Sequence, residues 1–124
     1  MVRGIRGAVT VKSNDEKEIL SATKVLLEKM IRANDLKEER IASIFFSTTS
    51  DLTKAFPAVA AREIGWISVP LFCTKELDIE GSLEKCIRIL IHYNTKKSLE
   101  EIEHIYLREA KSLRPDLIKE GEEE

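Results

Sequence analysis

The segment Cys86-Ile87-Arg88-Ile89-Leu90-Ile91-His92-Tyr93 constrains the fold more than any other stretch of the chain. Ile87, Ile89 and Ile91 recur every second residue, the period of a β-strand whose one face is buried. Arg88 therefore points the other way, between Cys86 and Leu90. A second strand signal opens the chain at Val2-Arg3-Gly4-Ile5-Arg6-Gly7-Ala8-Val9-Thr10-Val11. Ile5, Val9 and Val11 share one face, and Gly4, Arg6, Ala8 and Thr10 share the other. Arg6 thus stands on a surface of small residues with room for a planar anion beside it, and its fork of donors matches a carboxylate. Pairing with a neighbouring acid is the plainer alternative.

The segments between these strands read as two helices and further strands. Asp15 followed by Glu18 resembles a helix N-terminal cap, and Ile19, Thr23, Leu26, Leu27 and Met30 follow at helical spacing, predicting a helix over 16–33. Ile41 to Thr48 is β-branched and aromatic and predicts a strand that ends in the polar turn at Ser50-Asp51. Pro57 suits the first turn of a second helix over Ala58 to Ile64, which Gly65 ends, and Phe56 sits exposed before it. Trp66 to Cys73 reads as a third strand, restricted by Pro70 to an edge or an irregular position. A helical turn is expected near Leu83 and another over Ser98 to Glu103, and a last strand over His104 to Arg108. The order β-α-β-α-β-β-β predicts an α+β fold, a five-stranded mixed β-sheet with helices on one face. Its second face carries Arg6, Arg88 and Tyr106. With apolar residues such as Leu90 there as well, that face calls for a partner surface.

Composition limits the function classes. The 124 residues make a single domain, 1–124, and the charged run at 118–124 is expected to be a flexible acidic tail. A formal charge of -2 lacks the positive excess of a nucleic-acid binder, and no apolar run is long enough for a membrane span. The chain enters its first strand pattern without a signal-peptide core, so a cytoplasmic protein is expected. Cys73 and Cys86 are then free thiols, and together with His92 and His104 they have no metal-ligand spacing. Glutamine is absent and Glu, Lys and Arg are abundant, as in proteins from hot environments.

Several fragments, taken in order, resemble a known family. Arg3-Gly4-Ile5-Arg6-Gly7-Ala8, Phe56-Pro57-Ala58 with Arg62-Glu63, Val69-Pro70, Cys73 with Glu76, Cys86-Ile87-Arg88, His104-Ile105-Tyr106-Leu107 and Leu113-Arg114-Pro115-Asp116-Leu117 resemble the monofunctional chorismate mutases of the trimeric α/β class. The resemblance implies a homotrimeric pseudo α/β-barrel with active sites in clefts between subunits. It implies the Claisen rearrangement of chorismate to prephenate on the route to phenylalanine and tyrosine, without metal or organic cofactor. Arg6 is then expected to bind a carboxylate, Arg88 to reach the other carboxylate region and the ether oxygen, and Glu76 to accept the ring hydroxyl near the Cys73 backbone. Tyr106 adds a polar contact, Phe56 an apolar wall and Arg62 a charge at the mouth. Thr74 and Lys75 belong to the same substrate-contacting segment, and Leu113 partly closes the site. Phe72 departs from the smaller or polar residues that the resemblance implies there in some relatives; if the family contact at that position is made by backbone, the change of side chain matters little.

Two other classes remain open from the residues alone. Arg88 as a trimer-interface ion pair with Glu76 is the plain structural alternative to its catalytic role, and one other class is a trimeric module that captures an aromatic or dicarboxylate metabolite at the subunit interface without transforming it, which the fold alone does not exclude. An enamine or imine deaminase on a similar trimeric fold is the other, although its signature is not found in this chain.

Overall fold

The computed structural model describes residues 1–113. The expected acidic tail at 118–124, and the family-like fragment from Arg114 to Leu117, lie outside the described residues. Strands β1 (Val2–Thr10), β2 (Ile41–Thr48), β3 (Leu71–Lys75), β4 (Cys86–Asn94) and β5 (Ile105–Tyr106) form one sheet in the order β3-β2-β4-β1-β5. Strand β4 runs antiparallel to both β1 and β2, whereas β2/β3 and β1/β5 are parallel, so the sheet is mixed. Helices α1 (Glu16–Asn34) and α2 (Ala58–Glu63) fall between the strands as the sequence predicts.

Helix α1 begins where its cap can form. The Asp15 carboxylate accepts from the Glu18 backbone N–H at 3.0 Å, and Glu18 in turn accepts from the Ser13 hydroxyl at 2.7 Å and from the Lys12 N–H. These bonds, led by that from Ser13, hold the Glu18 carboxyl below its ordinary range. The helix buries Ile19, Ala22, Thr23, Leu26, Leu27 and Met30 against a sheet face made of residues such as Ile5, Val9, Phe46, Ile87, Ile89 and Ile91.

Gly7 lies at a close approach of β1 to α1. A Cβ there would lie 2.5 Å from Met30 Sδ and 3.1 Å from Leu26 Cδ1. Both side chains are fully buried, so neither has free space to move into. Gly7→Ala is expected to cost about 1–3 kcal/mol through overpacking, read as a lower denaturant midpoint; an unchanged midpoint would mean that α1 shifts freely.

Two local expectations are corrected. The third strand starts at Leu71 and extends to Lys75, whereas 66–70 forms no ladder. The reason lies in the end of α2. Gly65 takes a left-handed φ of 100°, its N–H donates to Arg62 O, and the Trp66 N–H donates to Ala61 O, so the cap consumes the donor a strand would need. Pro70 has no N–H to give, but its carbonyl accepts from Ile44 and starts the β2/β3 pairing on the sheet edge. Around Leu83 the chain makes turns, not a helical turn; Gly81 is left-handed at φ 82° and closes a tight reversal with Ser82 N–H on Ile79 O.

A 3-10 turn over Arg108–Leu113 lies against one end of the sheet's second face. There Ala8, Cys86, Tyr106 and Ala110 form a small second core, with Leu113 packed on its rim. The remainder of that face is open: Phe45 is 38% and Phe72 60% exposed.

Candidate active site

Strand alternation and sheet order together assemble the site. On β4, Arg88 pairs with Ala8 of β1 on one side and Ser47 of β2 on the other. Both neighbours are small, which leaves room for the guanidinium. Arg6 sits opposite Leu90 one step along the same face, and Tyr106 pairs with Ala8 across β1/β5. Glu76 leaves the end of β3 with its N–H bound to Thr48 O at 2.9 Å. Arg6, Glu76, Arg88 and Tyr106 thereby line one cavity of about 430 Å³, together with Ser47 and Leu90.

The electrostatics centre on Arg88. Its Nε lies 3.4 Å from Glu76 Oε1, yet that buried nitrogen makes no hydrogen bond among the described residues. The carboxylate is near enough to balance the charge but does not receive the Nε–H. The other carboxylate oxygen, Oε2, accepts from the Ser47 hydroxyl. Glu76 is mostly buried, whereas the Arg88 side chain stays 43% accessible. The arrangement thus offers a partly accessible cation, a carboxylate acceptor and a second cation, Arg6, in one cavity.

The scaffold under these groups is tied down. The Arg6 backbone N–H donates to His104 Nδ1 at 3.0 Å, which makes that ring nitrogen an acceptor. At the start of β4, Cys86 N–H donates to the Thr49 hydroxyl and Lys85 N–H to the Asp51 carboxylate, both at 3.0 Å. Cys86 itself is buried, and burial pushes its thiol up to about 11 despite the nearby Arg88. It is therefore neutral across physiological pH. Cys86 in the folded protein is expected to resist alkylation by iodoacetamide at pH 8 and to react once the protein is unfolded; rapid labelling of the native thiol would contradict its burial.

The other sequence-predicted residues are spread more widely. Phe56, Cys73, Thr74 and Lys75 line a second cavity of about 560 Å³ with Lys54 and Pro57. Thr74 and Lys75 border both cavities. Phe56 is 71% exposed, as expected from its position before α2. Arg62 is exposed on α2, Phe72 stacks edge-on against Phe45 with ring centroids 5.9 Å apart, and Leu113 packs on the rim of the small second core. Within one chain these three line neither cavity. Ser47 was not singled out from the sequence, although Ser43, Phe45 and Ser47 alternate with the buried Ile44 and Phe46 and so mark the same open face.

The family model described as chorismate mutase type I matches residues 2–117. A curated chorismate mutase of Thermus thermophilus is 49% identical over 118 residues, spanning 94% of this chain and 97% of that protein. Its counterpart from Bacillus subtilis is 48% identical over 118 residues, spanning 94% of this chain and 93% of the relative. A solved chorismate mutase from Clostridium thermocellum superposes with a TM-score of 0.87 at 50% identity, covering 89% of this chain and 98% of the other.

Proposed function

The chain belongs to the type I chorismate mutase family, and from that premise we propose how its own residues carry the reaction. It is an isomerase that rearranges chorismate to prephenate. The observation that carries the site assignment is the convergence of Arg6, Glu76, Arg88 and Tyr106 on one cavity.

The rearrangement breaks one C–O bond and forms one C–C bond within a single molecule, with no nucleophile and no proton transfer. The protein's task is to hold the compact chair and to stabilise charge where it grows. Arg6 takes a substrate carboxylate and Glu76 accepts the ring hydroxyl near the Cys73 backbone. Arg88 reaches the second carboxylate region and the ether oxygen with the exposed part of its guanidinium. As C–O cleavage runs ahead of C–C bonding, negative charge collects on that oxygen, so a preorganised cation lowers the barrier more than it stabilises the ground state. Tyr106 adds a polar contact.

A homotrimer completes this proposal. The open second face with Phe45 and Phe72, and the two cavities that divide the expected substrate residues, support a site formed between copies. In that arrangement Phe56 of one copy faces Arg6 and Arg88 of the next, with Arg62 at the mouth, Thr74, Lys75 and the Phe72 backbone in the substrate segment, and Leu113 at the closing edge. Sedimentation equilibrium is expected to return three times the 14.1 kDa chain mass; a monomer would overturn the shared site. A cytoplasmic location belongs to the same proposal, supported by two free thiols. Among the described residues no helix is long and apolar enough to cross a membrane.

The direct test follows chorismate loss by absorbance and identifies prephenate by its acid conversion to phenylpyruvate. Catalysed formation of prephenate supports the reading, whereas tight binding without turnover would favour a binding module.

A further inference from the structure

Glu76 is tied to β2 at two points, its backbone N–H on Thr48 O and its Oε2 on the Ser47 hydroxyl. Ser47 is the cross-strand partner of Arg88 on β4 and of Thr74 on β3. It therefore stands between the strands that bring the carboxylate and the guanidinium together. The terminal torsion of a glutamate is broad and roughly two-fold, so its own rotamer preference does not orient the carboxylate. A carboxylate so close to an arginine has an alternative: rotation into a bidentate fork with the guanidinium.

We infer that Ser47 is a positioning residue that holds one oxygen of Glu76 and thereby keeps the Glu76 carboxylate from closing on Arg88. The geometry accounts for an otherwise odd pair of facts. Arg88 Nε is 3.4 Å from the carboxylate and buried, yet it makes no hydrogen bond. With Oε2 committed to Ser47, Oε1 balances the charge at a distance and remains an acceptor for a ligand hydroxyl, and the Arg88 side chain, 43% accessible, keeps its exposed part turned to the cavity instead of being drawn onto the carboxylate. Remove the hydroxyl and the carboxylate turns to satisfy Arg88, which costs both partners their orientation. The kinetic consequence rests on the mutase reading; the conformational one does not.

The test compares Ser47→Ala and Ser47→Thr in the full chain, alone and in a Glu76→Ala background. Ser47→Ala is expected to lower kcat about tenfold, the loss of one hydrogen bond to a charged group, with KM changed less than about threefold. Ser47→Thr, which keeps the hydroxyl, is expected to restore kcat, and Ser47→Ala is expected to add no further loss once Glu76 is gone. A wild-type kcat in Ser47→Ala, or an equal loss in both backgrounds, would overturn the inference. If alanine fails to fold, Ser47→Thr and Ser47→Val, alike in shape, make the same comparison. A crystal structure of Ser47→Ala or Ser47→Val separates this inference from the mutase reading: a Glu76 carboxylate turned onto Arg88 supports it even without turnover, and an unmoved carboxylate refutes it.

Discussion

Arg88→Ala is expected to lower kcat by about 10²–10³-fold, the usual loss when one preorganised donor to a developing oxyanion is removed. Arg88 is held between Ala8 and Ser47 on β4 and keeps a buried Nε without a hydrogen bond. Its strand is paired on both sides before charge appears, so little reorganisation is required. The fold should survive the substitution, because the side chain is 43% accessible and its ion pair with Glu76 is partly solvated. Steady-state kinetics beside thermal denaturation separates the two effects. Near-normal kcat would remove Arg88 from its role, and a collapsed Tm would show that its pairing with Glu76 is structural. Arg88→Lys should fall between, since lysine keeps the charge and loses the planar fork.

Asn34→Ala is expected to be the most damaging polar substitution for stability, at about 2–4 kcal/mol. Asn34 is 1% exposed at the end of α1. Its Nδ2 donates to Met30 O at 3.0 Å and to Glu103 O at 2.9 Å, and its Oδ1 accepts from the Glu103 N–H at 2.8 Å. One side chain thus stands in for a missing strand partner and clamps the connection that leads into β5. Strand β5 is only two residues, Ile105 and Tyr106, with little pairing of its own. The loss should appear as a fall in Tm of about 10 °C and as faster amide exchange at Glu103 and Tyr106. An unchanged Tm would show that other contacts hold the connection. Because Tyr106 borders the cavity, activity should fall with the order of β5.

Much of the fold and most of the cationic site were legible in the sequence, because the signals involved are local. Ile87, Ile89 and Ile91 alternate along β4, and all three are buried. Helix α1 carries its cap and its apolar stripe within its own residues, and β2 begins and ends where the β-branched run does. The same two-residue period places Arg6 and Arg88 on the face away from the helices, whatever the strands' neighbours are. The polar pattern and family-like fragments were enough to name Glu76 and Tyr106 with them.

Pairing was decided only in three dimensions. Strand order places β4 between β1 and β2, so Arg88 meets Ala8 and Ser47, and Ser47 becomes the anchor of Glu76. No local period contains that register, because it depends on which edges find each other. The start of β3 was likewise hidden: the Trp66 N–H is spent on the cap of α2, a choice between two hydrogen-bond partners that composition does not reveal. Asn34 shows the same limit, since its clamp on Glu103 joins residues 69 positions apart. The sequence by itself determined which side chains face which way; the tertiary structure decided which of them meet, because hydrogen-bond partners and cavity walls are supplied by distant segments of the chain.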